Sequence, residues 1–277
     1  MMTYSIYFKY MMIFLIVACS VFIPQVTHAR YITIGTKIEA ELNQEKLIVI
    51  AEITNNGDEP AYSLVCSVTI GETSLRGNTK QILQIKESYI NKFDLKNPFD
   101  KAGNYPVIVR TDFTDANQYP LSAISVTHVH YLETVSPKVF GKIDSLEMAQ
   151  KGQVRLKLKN LEGKEKKLSV GLIVPNEIST SKPVIRIKLD PNGEQDLDFA
   201  VSNFSAIVGS NYSIFALIEY VHNDKHYSIS IPGSIKIVEK QKLTSSQVYI
   251  IIGIPLVLLL LFFLFLMVRE KKSSPKK

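Results

Sequence analysis

The sequence is poor in cysteine and carries none of the short motifs that mark the commoner enzyme sites. Two cysteines occur in 277 residues, Cys19 and Cys66. Cys19 falls in an apolar leader, so Cys66 has no partner in a processed chain and no internal disulfide can form. Cys66 sits in Leu64-Val65-Cys66-Ser67-Val68, a strand-like setting without a basic or metal-binding neighbour. That setting points to a small packing residue rather than a reactive thiol. The chain has no Gly-rich phosphate loop, no HExxH, no paired CxxC and no Gly-x-Ser-x-Gly. No catalytic, cofactor-binding or metal residue is therefore assigned, and the chain reads as non-enzymatic.

An amphipathic helix is also missing between Arg30 and Gln247. Surplus charge is missing from the same region. The net charge is +6, but the tail from Arg269 supplies +4 and Lys9 another +1. Residues 30–247 hold 26 basic and 25 acidic side chains, which is close to neutral. The basic character comes from the ends of the chain, so no nucleic-acid footprint is expected.

Residues 248–268, VYIIIGIPLVLLLLFFLFLMV, form a run of 21 without a charge. At about 1.5 Å per residue this crosses a hydrocarbon core of about 30 Å as one helix. The basic tail 269–277 belongs in the cytoplasm. At the other end, Lys9 precedes an apolar run from Tyr10 to Ile23, the length of a signal-peptide core. Thr27-His28-Ala29 places small residues for cleavage after Ala29. Two competing readings stay open: an uncleaved signal anchor, and a lipoprotein site at Leu15-Ile16-Val17-Ala18-Cys19. Leader and anchor agree that residues 30 to about 245 are extracytoplasmic, with the protein in the cell membrane as a single pass.

The middle is a series of short β-rich runs separated by turn signals. Lys46–Asn55 ends in Asn55-Asn56-Gly57-Asp58, a strong turn, and Ala61–Ile70 follows. Val154, Leu156 and Leu158 alternate with Arg155, Lys157 and Lys159, so the first three face a core and the others solvent. Strands are also predicted over 166–174 and 211–221, with Asn223-Asp224 as a hairpin tip. The two halves share a pattern: Asn55 aligns with Asn160, 105 positions on, and Tyr105 with Tyr212, 107 positions on. A period near 100 residues suits an immunoglobulin-like sandwich of about seven strands. Gly103-Asn104-Tyr105 and Gly209-Ser210-Asn211-Tyr212 suit its tyrosine corner, with ordinary strand aromatics as the alternative.

The fold expected is therefore all-β: two tandem immunoglobulin-like β-sandwich domains and one C-terminal transmembrane helix. The domains span 1–29 (signal peptide), 30–133, 134–240, 241–247 (stalk), 248–268 (helix) and 269–277 (cytoplasmic tail). Ser136-Pro137 breaks the chain between the sandwiches, and so short a linker suggests that they stack end to end. The strand followed by Asn-Asn-Gly-x-x-x-Ala, from Asn55 to Ala61, resembles bacterial and archaeal cell-surface domains of the CARDB type. That resemblance implies tandem immunoglobulin-like modules on an exported protein. The second half keeps only Asn160 and Gly163 of the turn, and no functional residue is implied.

Several side chains suggest chemistry and have simpler explanations. His128 and His130 share one face of a strand but lack an evident third metal ligand. His222 and His226 flank the Asn223-Asp224 tip as polar turn residues. Asp112, Asp115 and Asn117 place oxygens in one loop, as calcium sites do, yet turn chemistry accounts for them. Residues 151–167 hold seven basic and two acidic side chains, either a solvated face or a contact for anionic lipid or wall polymer. Asn203 and Asn211 lie in glycosylation sequons, which matter only in a glycosylating host. The expected role is presentation of two sandwiches to a protein partner or an envelope polymer. The alternative is an accessory subunit of a membrane transporter or envelope-assembly complex, for which the Gly253-x-Pro255 kink leaves helix-packing room.

Overall fold

The computed structural model describes residues 31–43 and 45–240, together with Gly253, Ile254, Leu256, Leu259 and Phe262, all five helical. The predicted leader (1–29), stalk (241–247), cytoplasmic tail (269–277) and most of the 248–268 run lie outside the described residues. Among the described residues no helix is long and apolar enough to cross a membrane.

From 31 to 240 the described chain is β-structure with connecting turns. In order the strands are β1 (Ile34–Leu42), β2 (Lys46–Asn55), β3 (Ala61–Ile70), β4 (Thr73–Leu83), β5 (Ser88–Lys96), β6 (Gly103–Thr114) and β7 (Pro120–Tyr131). Then come β8 (Val139–Ile143), β9 (Leu146–Met148), β10 (Lys151–Asn160), β11 (Lys166–Ile173), β12 (Ile178–Thr180), β13 (Val184–Leu189), β14 (Glu194–Asn203), β15 (Asn211–His222) and β16 (Lys225–Ile237). The first seven form a unit in which β1-β2-β5 faces β7-β6-β3-β4. The rest form a second, in which β12-β14-β10-β8 faces β13-β11-β15-β16, with β9 added beside β16. Both are sandwiches of the immunoglobulin-like kind.

Each unit encloses its own core. Leu47, Val49, Ala51, Ile53, Val107 and Val109 anchor the first, and Leu156, Phe199, Ile214, Ile218 and Ile235 the second. The alternation in β10 holds as predicted. Val154, Leu156 and Leu158 are buried and face the core, while Arg155, Lys157 and Lys159 stay exposed. Period-two patterning produces this directly, because successive side chains of a strand point to opposite faces.

The predicted internal likeness has a shared physical basis in two buried asparagines. Asn55 ends β2 and Asn160 ends β10, and neither is exposed at all. Asn55 Nδ2 donates to the Glu59 and Leu83 carbonyls at 2.7 and 3.3 Å, and its Oδ1 accepts from Gly57 N at 3.0 Å. Asn160 Nδ2 donates to Lys164 O at 2.7 Å and Asp190 O at 2.9 Å, and its Oδ1 accepts from Glu162 N at 3.1 Å. The same amide thus stitches the same turn to a neighbouring loop in each unit. The tyrosine corners are also present. Tyr105 Oη donates to Lys101 O at 2.8 Å, and Tyr212 Oη accepts from Ile207 N at 3.0 Å. At the β15–β16 tip Asn223 and Asp224 both take positive φ, 49° and 56°, a hairpin turn that short polar side chains tolerate.

The end-to-end arrangement suggested by the short linker is not what forms. β16 runs parallel to β6 and pairs with it through His226 and Gly103, which joins the two sheets into one path ending at β13 and β4. Contacts between units recur from Asn104 to Asp112 along β6, a span of about 27 Å at the usual strand rise. The units therefore lie side by side, because complementary polar groups line both flanks.

Candidate functional site

The side chains that unite the described chain gather at two ends of the junction between the units. At the first, the backbones come so close that only glycine fits at 103: a Cβ there would collide with the His226 carbonyl. Asn104, buried beside it, donates from Nδ2 to Ser228 O at 2.9 Å, and Ser228 Oγ donates to Asn104 O at 2.9 Å. His226 Nδ1 lies 2.8 Å from the Asn104 carbonyl, so that nitrogen carries a proton. Its Nε2 lies 3.4 Å from Glu219 Oε1. The imidazole stacks on Tyr105 at 4.2 Å between centroids, and Tyr105 stacks on Phe99 at 3.8 Å. Burial pulls the His226 pKa down, but Glu219 and the Asn104 carbonyl outweigh it and leave it raised. Two exposed ion pairs rim this end, Lys101–Asp224 and Lys225–Glu133.

The second end is built on a buried carboxylate. Glu177 is 1% exposed. Its Oε1 accepts from Ser122 N at 2.7 Å and its Oε2 from Ser122 Oγ at 2.6 Å. Ser122 Oγ in turn accepts from Asn176 N at 2.8 Å. Asn176 Nδ2 donates to Asp112 Oδ1 at 2.9 Å, and Arg110 Nη1 donates to Asn176 Oδ1 at 2.6 Å. Burial raises the pKa of Glu177 and of Asp112, the latter against the pull of Arg110 and Arg76. Beside this network runs an open cleft of about 270 Å³. Arg76, Asp112, Phe113, Leu121 and Phe204 are among its walls. Ser63 also lines it and has a φ of 50°, in the region glycine favours, at a register irregularity in β3. Because each Glu177 oxygen already accepts a hydrogen bond from Ser122, the carboxylate works as a clamp between units.

The residues weighed from sequence fall into place individually. Cys66 is buried, and burial pushes its thiol up to about 11, so it is a packing residue. His130 is exposed on β7, and burial together with His130 lowers the pKa of His128. Among the described residues no group of three or more His, Cys, Asp or Glu is placed to hold a metal. Asp115 Oδ1 accepts from Asn117 N and Tyr119 N, both at 2.8 Å, an ordinary Asx turn, while Asp112 points to the junction. Acids offset the basic 151–167 stretch: Arg155 pairs with Asp198 and Lys159 with Glu194 across to β14, Lys157 with Asp144 just after β8, and Lys166 with Glu162 four positions before it. Asn203 spends its whole amide on Ala149 O, Ala206 O and Ala206 N. Asn211 is exposed. His226, read from sequence as a turn residue, is the central residue of the junction. Glu177 and Asn104 carry no local signal, because their partners lie 55 and 124 positions away.

No protein-family model matches the chain, and no curated protein matches it. Among solved structures, a Salmonella alpha-2-macroglobulin mutant is similar at 11% identity and a TM-score of 0.32, covering 78% of this chain and 17% of that one. A protein of unknown function from Porphyromonas gingivalis W83 matches at 13% identity and 0.28, covering 74% and 99%. The ASH/PapD-like domain of human CEP192 matches at 16% identity and 0.29, covering 42% and 98%. The chain thus spans about a sixth of the length of the macroglobulin chains it resembles.

Proposed function

We propose that this chain is a non-enzymatic, membrane-anchored extracytoplasmic protein that presents two immunoglobulin-like sandwiches as one body to a protein partner or envelope polymer. The observation that carries the reading is the uncharged 21-residue run at 248–268 followed by the basic tail. The leader agrees with it in topology. The clamped junction supports presentation of a fixed composite surface: hydrogen bonds at both ends of the junction hold the two units in one relation. A receptor or scaffold gains from such rigidity, since less conformational freedom is lost on binding.

Cysteine labelling on intact cells tests the topology. Cys66 is buried and stays silent. Lys157→Cys is expected to react with a membrane-impermeant maleimide, and Ser274→Cys only after permeabilisation. Labelling at 274 but not at 157 in intact cells would refute the reading.

A further inference from the structure

The turn between β14 and β15 exposes three apolar side chains together. Phe204 is 81% exposed, Ile207 40% and Val208 53%. The turn is held firmly by hydrogen bonds. Phe204 N and Ser205 N both donate to Glu177 O, at 2.9 and 3.1 Å. Ala206 N donates to Asn203 Oδ1 at 2.7 Å and Ile207 N to Tyr212 Oη at 3.0 Å. Tyr119 Oη donates to Ser205 O from the other unit. A turn pinned by this many bonds presents its apolar side chains outward as a fixed group. Burying them elsewhere would require the bonds to break.

The position of this turn names its occupant. Gly209 N donates to Ile237 O at 2.8 Å, and Ile237 N to Ser210 O at 3.0 Å. The apolar turn is therefore stitched to the last residue of β16, from which the chain leaves toward the 248–268 run. Only ten positions separate Val238 from Val248, at most about 35 Å of extended chain. A tether that short keeps the turn within reach of the bilayer at high effective concentration. Aromatic and branched apolar side chains on a rigid turn suit the boundary between headgroups and acyl chains.

We propose that residues 204–208 dip into the outer face of the same bilayer that holds the anchor, and so fix the tilt of both sandwiches on the membrane. This rests on the anchored reading given above, and the test separates the two. The sequence has no tryptophan, so each substitution below is the sole tryptophan of its variant. Full-length Phe204→Trp, Leu259→Trp and Val221→Trp are reconstituted in phosphatidylcholine vesicles with brominated acyl chains. Val221 is 55% exposed at the opposite end of β15, about 33 Å from the turn. Phe204→Trp is expected to be blue-shifted and quenched several-fold more than Val221→Trp. Equal, weak quenching of the two would overturn the proposal, as it would if a protein partner or second copy were the occupant. Leu259→Trp reports on the anchor separately: strong quenching there with none at 204 would leave the anchor reading intact and remove the lipid contact alone.

Discussion

Replacing Asn160 by alanine tests whether one buried amide organises a whole unit. The substitution removes three hydrogen bonds and strands the carbonyls of Lys164 and Asp190 and the amide of Glu162. A buried polar group left without a partner costs about 1–3 kcal/mol. Lys164 and Glu162 lie close enough to the surface for water to recover part of that. A net loss of about 3 kcal/mol is expected, a large share of the roughly 5–15 kcal/mol that holds a domain together. In hydrogen exchange of the intact protein in detergent, the best-protected amides of β10, β11 and β15 should exchange about a hundredfold faster. Those of β2 and β3 should hold, because the first core is separate. Asn55→Ala should give the mirror result. Acceleration under tenfold for Asn160→Ala, or equal acceleration in both units, would refute the idea that the amide acts within its own sandwich.

Leu156→Asp places an unpaired charge in the second core and is expected to cost several kcal/mol, while Lys157→Ala, exposed one position on, should change stability by less than about 0.5 kcal/mol. Urea melts of the two variants check this, and equal damage would refute the strand register. The His226 end of the junction should loosen as pH rises above the ordinary histidine value of about 6.5. The raised pKa of His226 makes its contribution complete below 6.5 and lost as pH rises through the raised value. Limited proteolysis of the 132–138 linker across pH should show this as faster cleavage at alkaline pH, and His226→Gln should flatten that limb; cleavage that does not change with pH in the unaltered protein would refute it. Finally, Cys66 should resist thiol reagents at pH 8 in the folded protein and react at once in guanidinium, since its thiol is buried and its pKa is pushed up to about 11.

The bounds of β2 and β3 and the alternation of β10 were legible in the sequence because each is carried by neighbours two apart, and burial reads that period directly. The tyrosine corners and the Asn223-Asp224 tip were legible because each is local chemistry. The junction was not. Glu177 finds Ser122, and Asn104 finds Ser228, across separations no periodicity encodes. The basic 151–167 stretch looked like a free patch for a related reason. Asp198 and Glu194 on β14 and Asp144 just after β8, which pair with its side chains, enter only through register.

The joined sheet path has two outer strands, and their composition bears on edge-to-edge association. An unpaired strand edge invites another copy to add its own. β13 carries Arg186 and Lys188, and β4 carries Arg76 and Lys80. Lys80 is already paired with Glu87 on the β4 side, whereas Arg186 and Lys188 leave the β13 border basic and so disfavour pairing of two like borders. On the anchored reading proposed above, that charge works against strand-to-strand addition between neighbouring copies.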